Sequence, residues 1–354
     1  ERFAAACAQQ PTDRRCIWLM RQAGRYMPEY RAVRARHTLL EICRRPALAA
    51  EVAITAAERL GTDCAIIFAD LLLPAEPLGL QLRFTPGEGP CLEPALRTEA
   101  QITALPESWK GALGYVSESI ALVHRHFAQR IAVLGFAGAP FTLASYLIEG
   151  GASKTYAHTK ALMHERPQLW SQLMRKLTTG LAEFAAEQVR AGAAAIQWFD
   201  SWAGALSETD YRRYVLPHNQ ALVKATQALG VPAIYFSTGT SAYLETVAET
   251  GAHVLSLDWR MDLAHAWRRL QRYMDQRGGA IPVLQGNLDP VLLLGDRATL
   301  EREASRMLGE AEGRNGYIVN LGHGILPETP VENVQALVEL AHGRNPDQLK
   351  GRHK

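Results

Sequence analysis

The stretch Cys16-Ile-Trp-Leu-Met-Arg-Gln-Ala-Gly-Arg-Tyr26 runs from a short apolar segment into a glycine turn carrying two arginines. Seven more segments repeat this layout. Ala65–Ala69 leads into Asp70, Ile131–Leu134 into Gly135-Phe-Ala-Gly-Ala-Pro140, and Ala194–Phe199 into Asp200-Ser201. Ala233–Phe236 leads into Ser237, His253–Leu257 into Asp258, Ile281–Leu284 into Gln285-Gly-Asn287, and Tyr317–Asn320 into Gly322-His-Gly324. Near-continuous apolar runs of this kind mark strands covered on both faces, as in parallel sheets. Helical patterns fill the intervals at Pro46–Leu60, Gly111–Phe127, Leu169–Arg190, Asp210–Leu229, Ser241–Glu249 and Leu263–Met274. A last helix is expected with Thr329 as its cap, Pro330 at its first position and Glu332 closing a capping box.

Strand and helix alternating eight times predict an α/β fold, a single (β/α)8 TIM barrel with extended βα loops. The surplus length falls after the first three strands, and Leu73–Pro94 reads as a structured loop. Residues 1–342 are expected to form the barrel domain. The polar tail 343–354 is expected to fray. A doubly wound sheet shares the same βα units, but it would usually bring a dinucleotide fingerprint. Neither G-x-G-x-x-G nor G-x-x-x-x-G-K-[ST] occurs.

Composition narrows the partners. Hydrophobic residues make up 47% of the 354, so a sizeable core is available. A net charge of +2 argues against a nucleic-acid partner, which usually goes with a basic excess. The basicity is local: Arg21 and Arg25 are followed by Arg31, Arg34 and Arg36. Guanidinium forks suit carboxylate or phosphate, so a polyanionic small molecule is expected. The later arginines suit a solvated helix face equally well. Arg21 fits that reading poorly, because it abuts an apolar run. Five cysteines without a C-x-x-C pair read as reduced thiols of a cytoplasmic protein. No apolar stretch reaches the ~18–20 residues of a membrane helix, so no membrane partner is expected. No signal-peptide pattern opens the chain.

Barrels of this kind carry their sites at the carboxyl ends of the strands. The residues there are Arg21, Arg25, Asp70, Tyr146, Asp200, Ser201, Ser237, Asp258, Asn287 and His323. Each also has a structural role open to it. Asp70 could satisfy backbone donors in a turn, Ser201 and Ser237 could cap helices, and Tyr146 could pack in the core. His323 stands between two glycines, which packing alone rarely requires. No metal motif is present, and neither G-x-S-x-G nor a strand-end cysteine supports a nucleophile. Arginines, one acidic candidate, a tyrosine and a histidine suit acid–base chemistry on a polycarboxylate.

The motifs resemble those of the uroporphyrinogen decarboxylase family. Trp18-Leu-Met-Arg-Gln-Ala-Gly-Arg-Tyr26 with Pro28-Glu-Tyr-Arg31 is similar to its amino-terminal signature. Gly135-Phe-Ala-Gly-Ala-Pro-Phe-Thr-Leu143, continuing to Tyr146 and Glu149-Gly150, is similar to its second. Phe68-Ala-Asp70, Phe199-Asp-Ser201 and Asn320-Leu-Gly-His323-Gly match in the same order, and the resemblance runs from about Phe3 to Leu340. The resemblance implies a homodimeric barrel that removes carbon dioxide from the four acetate arms of uroporphyrinogen III, giving coproporphyrinogen III without metal or organic cofactor. It implies that Arg21 and Arg25 hold carboxylates, one of them near the reacting acetate, and that Asp70 accepts the pyrrole N–H groups. It further implies that Tyr146, Ser201 and His323 contact the arms, with Arg34 a further family arginine. Trp202 departs from the pattern, since some members carry histidine after that serine.

Two other functions share parts of this pattern. A corrinoid-linked methyltransferase would bring a zinc thiolate site with a His-x-Cys element. Here His253 precedes Val254 and Leu255, and no cysteine follows Cys91. A non-catalytic tetrapyrrole carrier would bind the macrocycle without releasing carbon dioxide.

Overall fold

Side chains alternate between the two faces of a strand, so a buried strand must satisfy two apolar environments at once. Cys16, Trp18 and Met20 belong to a cluster inside the barrel, with Cys64, Ile66, Leu134, Ala195, Ile234, Val254, Val283 and Ile318. Their neighbours Ile17, Leu19, Ala65, Val133, Ile196, Leu255 and Val319 belong to the larger layer between strands and helices. This is why these runs read as continuously apolar.

The computed structural model describes residues 2–85 and 89–343. Its strands are β1 (Cys16–Ile17), β2 (Cys64–Ile66), β3 (Gln81–Thr85), β4 (Gly89–Glu93), β5 (Ala132–Gly138), β6 (Ala195–Asp200), β7 (Ala233–Ser237), β8 (Val254–Ser256), β9 (Val283–Leu288) and β10 (Tyr317–Leu321). Eight of them form one sheet in the order β1-β10-β9-β8-β7-β6-β5-β2, every pair parallel. The edge strands β1 and β2 meet at a seam. Asp63 N–H donates to the Ile17 carbonyl at 2.8 Å, and the Asp63 carboxylate accepts Ile17 N–H at 3.0 Å. The Gln22 amide adds a bond to the Cys64 carbonyl at 3.1 Å. The barrel is therefore nearly closed, not doubly wound.

Phe3, from the helix Arg2–Cys7, plugs the amino-terminal end of the barrel. The Asp63 carboxylate also accepts Arg2 at 3.3 Å, Arg14 at 3.1 Å and His342 at 2.9 Å. One buried acid thus ties the first helix, the seam and the end of the last helix together. Burial pushes the Asp63 carboxyl up, but His342, Ile17 N–H and Arg14 together hold it below the ordinary value.

Four expectations change. The last helix is Val331–Ala341; Pro330 is its N-cap, extended at ψ 132°, and no side chain caps it. The chain turns helical one residue later than the Thr329-x-x-Glu332 spacing suggests, and the Thr329 hydroxyl is left without a partner. The Asp210–Leu229 pattern divides into Glu208–Tyr214, capped by Ser207, and Leu216–Gln227. The break falls at Val215, and Pro217, which supplies no N–H, sits in the first turn of the second helix, where that N–H has no intrahelical partner to lose. Ser241–Glu249 is a 3-10 turn followed by the short helix Leu244–Ala248. Leu73–Pro94 contains the antiparallel β3–β4 hairpin, more regular than a loop. The tail 344–354 lies outside the described residues.

Candidate active site

The first arginine is held in an uncommon backbone conformation. Arg21 has φ 60°, in the left-handed region that disfavours a side chain by roughly 1–2 kcal/mol. The turn Arg21–Gly24 folds so tightly that a Cβ on Gly24 would lie 3.0 Å from the Arg21 carbonyl. Beyond the neighbouring strand β10, Gly324 has no side chain because Arg21 lies over it; a Cβ there would sit 2.7 Å from Arg21 Cγ. Gly322 is constrained in the same way by the backbone of Asp258 and Trp259. Both glycines around His323 are thus explained by close approach, one of them by the arginine itself.

Arg21 is the charge these groups share. It opposes the rise of the Asp70 carboxyl, lowers the Tyr146 phenol and lowers the His323 imidazole. The sequence-predicted residues of four different strand ends therefore converge. Asp70 follows β2, and its Oδ1 accepts Leu72 N–H at 2.9 Å. Burial raises its pKa, with Leu72 N–H and Arg21 acting against the rise. The turn role of Asp70 occupies one oxygen only, and Oδ2 makes no hydrogen bond among the described residues. Tyr146, on the helix Pro140–Glu149, is pushed up to about 12 by burial and then by the Asp70 charge.

His323 accepts Gly324 N–H on Nδ1 at 2.7 Å, which leaves the proton of the neutral ring on Nε2. Burial, Arg21 and Arg260 bring its pKa down to about 4, against the Asp258 charge. The ring is neutral at physiological pH and offers one donor.

Arg25 and Arg34 converge on a second point. Burial pushes the Tyr30 phenol up to about 12, and both arginines act against the rise. Tyr30 packs on Phe68 with centroids 5.3 Å apart. Arg34 ends the helix Pro28–Arg34 and donates to the His37 carbonyl, so it belongs to the exposed rim. The Ser201 hydroxyl makes no hydrogen bond among the described residues; Trp202, next to it, stacks on Tyr146 at 3.7 Å. An apolar floor underlies these groups: Phe136 on Phe199 at 5.6 Å, Phe199 on Phe236 at 5.7 Å, and Phe236 on His323 at 6.0 Å. Sequence reasoning missed this floor and Tyr30. The floor residues lie on β5, β6 and β7 two positions beyond the interior residues Leu134 and Ile234 and four beyond Ala195, a signal the strand alternation contained.

Other strand-end residues have structural partners. Ser237 bonds Thr240 at 2.7 Å. Asp258 accepts Gly239 N–H at 2.6 Å and pairs with Arg260. The Asn287 amide donates to the Asp258 carbonyl at 2.8 Å. Asp200 is fully buried and accepts Thr142 at 2.8 Å, Tyr235 at 2.6 Å and Asn219 at 3.2 Å. Among the described residues, no group of three or more His, Cys, Asp or Glu is placed to hold a metal ion, and no helix is long and apolar enough to cross a membrane.

Comparison with known proteins gives the family. The family model described as Uroporphyrinogen decarboxylase (URO-D) matches residues 1–344. A uroporphyrinogen decarboxylase of Koribacter versatilis is 52% identical over 96% of this chain and 95% of its own length. One of Solibacter usitatus is 48% identical over 98% of each. Among solved structures, a methyltransferase from Methanosarcina mazei aligns with a TM-score of 0.75 over 97% of each chain at 20% identity, a likeness of fold alone. With the family model spanning nearly the whole chain and relatives near half identity, the chain belongs to the uroporphyrinogen decarboxylase family.

Proposed function

We propose that this chain decarboxylates the four acetate arms of uroporphyrinogen III, yielding coproporphyrinogen III, and that Asp70 and Arg21 stand at the reacting pyrrole. The observation that carries the site assignment is the half-free Asp70 carboxylate beside Arg21 and Tyr146.

Losing carbon dioxide leaves an electron pair on the carbon it departs from, and that pair needs a sink. A pyrrole protonated at its α-carbon supplies one, so the ring provides what a cofactor would otherwise provide. The protein then has to bind, orient and stabilise charge. Asp70 Oδ2 accepts pyrrole N–H groups and faces the positive charge of the protonated ring. Its raised pKa reflects a site poor in solvent, where that attraction is strongest. Arg21 and Arg25 hold carboxylates of the arms, with Arg34 further out. Neutral His323, Tyr146 and Ser201 donate to propionate or acetate oxygens without adding charge. We place the enzyme in the cytoplasm, as an isologous homodimer, and read residues 1–342 as one domain.

The test is incubation with uroporphyrinogen under reducing conditions, with the carboxyl count of the products read by chromatography. Products with seven, six, five and four carboxyls are expected. Unchanged substrate bound to folded protein would make the chain a carrier. Activity that disappears on chelation and returns with a metal would overturn the cofactor-free account.

A further inference from the structure

We propose that Trp202 is a positioning residue, a clamp that fixes the Tyr146 phenol at the cleft; this deepens, and rests on, the decarboxylase reading above. Thr142 and Tyr146 lie four residues apart on the helix Pro140–Glu149, and so on one face of it. Trp202 engages both. Its backbone N–H donates to Thr142 Oγ1 at 3.2 Å, and its indole stacks on the Tyr146 ring with centroids 3.7 Å apart and planes 30° off parallel. Thr142 in turn donates to the buried Asp200 at 2.8 Å. Asp200 ends β6 two residues before Trp202, so strand end, turn and helix form a closed loop of contacts. Tyr156 stands edge-on to the same indole at 5.0 Å, confining it from a second direction.

The clamp matters because, among the described residues, no hydrogen bond orients the phenol. The Tyr146 hydroxyl makes no hydrogen bond among the described residues, yet it stands close enough to Asp70 to feel its charge. A tyrosine free to rotate would spread its donor over several directions. Stacking confines the ring to one plane before substrate arrives, which reduces the ordering cost of binding and keeps the reacting acetate in place. Trp202 acts through Tyr146, and its removal should therefore matter only while the Tyr146 hydroxyl is present.

Two measurements on the full chain decide this. In protein carrying 3-fluorotyrosine, the ¹⁹F resonance that disappears in Tyr146→Phe belongs to Tyr146. Trp202→Ala should shift and broaden that resonance, because the indole ring current and the confinement are both lost; an unmoved resonance overturns the proposal whether or not the protein has activity. In kinetics, Trp202→Ala should lower kcat/KM about tenfold, and Trp202→Phe should recover most of it. In a Tyr146→Phe background, Trp202→Ala should cost under about twofold further, since coupled residues are not additive. A full tenfold penalty in that background, or a phenylalanine variant as impaired as alanine, overturns the clamp. A parent protein that releases no carbon dioxide breaks the decarboxylase reading alone, and the resonance still judges the clamp.

Discussion

Asp70 and Asp200 are two strand-end aspartates with opposite surroundings. Both are buried enough for desolvation to raise their pKa values. Asp200 is surrounded by donors: Thr142, Tyr235 and Asn219 all point at it. Asp70 has one backbone donor, Leu72 N–H, and a second oxygen without a protein partner. A carboxylate whose acceptor sites are filled by its own fold is holding elements together. One left half-filled at the mouth of a barrel, beside an arginine in a strained backbone conformation, has an acceptor free for a ligand, which is the basis of the role we propose for it. Residue type is the same and both stand toward the carboxyl ends of strands, Asp200 closing β6 and Asp70 lying beyond β2, and the partners differ.

The largest test of that contrast is Asp70→Asn. It keeps the volume, removes the charge and turns a donor toward pyrrole N–H groups. We expect kcat to fall at least about a hundredfold, roughly 2.7 kcal/mol, with substrate binding weakened less. The folded-state pKa of Asp70 lies above its unfolded value, so its ionised form costs stability once pH rises past about 3.8. The asparagine variant should therefore be as stable as the parent, or more so, at neutral pH. A variant that turns over normally, or one that simply unfolds, would reduce Asp70 to a turn residue.

Arg21→Lys comes next. Lysine keeps the charge but lacks the fork, and losing a charge-assisted bond costs roughly 1.5–3 kcal/mol, about ten- to a hundredfold in kcat/KM. Near-normal turnover would remove Arg21 from the reacting carboxylate.

Asp200→Asn should reverse the pattern. An amide there sets N–H groups against donors, costing about 1–3 kcal/mol of stability, seen as a lower urea midpoint. Turnover per folded molecule should fall less than in Asp70→Asn. A stable but inactive Asp200→Asn protein would erase the distinction between the two acids.

The smallest effect concerns pH. His323 is lowered to about 4 in the folded protein from an unfolded value near 6.5. Its neutral form is favoured on folding, so this stabilisation is present above about pH 6.5 and declines as pH falls toward 4. A kcat/KM inflection near pH 6.5 that vanishes in His323→Gln would show that the ring is charged where the structure holds it neutral.

Much of this was legible in one dimension. Apolar runs reported strands covered on both faces because alternation with a buried barrel interior leaves no polar face. Arg21, Asp70, Tyr146 and His323 were legible because each directly follows such a run or stands in a motif. The glycines around His323 pointed to a close approach, although only the fold shows that one of them receives Arg21.

What the sequence determined by itself was the barrel, the family and the set of polar residues at its carboxyl end, since these depend on local periodicity and on motifs read along the chain. Tertiary structure alone decided which aspartate is spent on Thr142, Tyr235 and Asn219 and which remains open. It alone placed Trp202 on Tyr146, closed the seam through Asp63 and started the last helix at Val331. The physical reason is common to all of these. A hydrogen bond or a ring stack depends on which distant segments the barrel brings within a few ångströms, and local pattern carries no record of that.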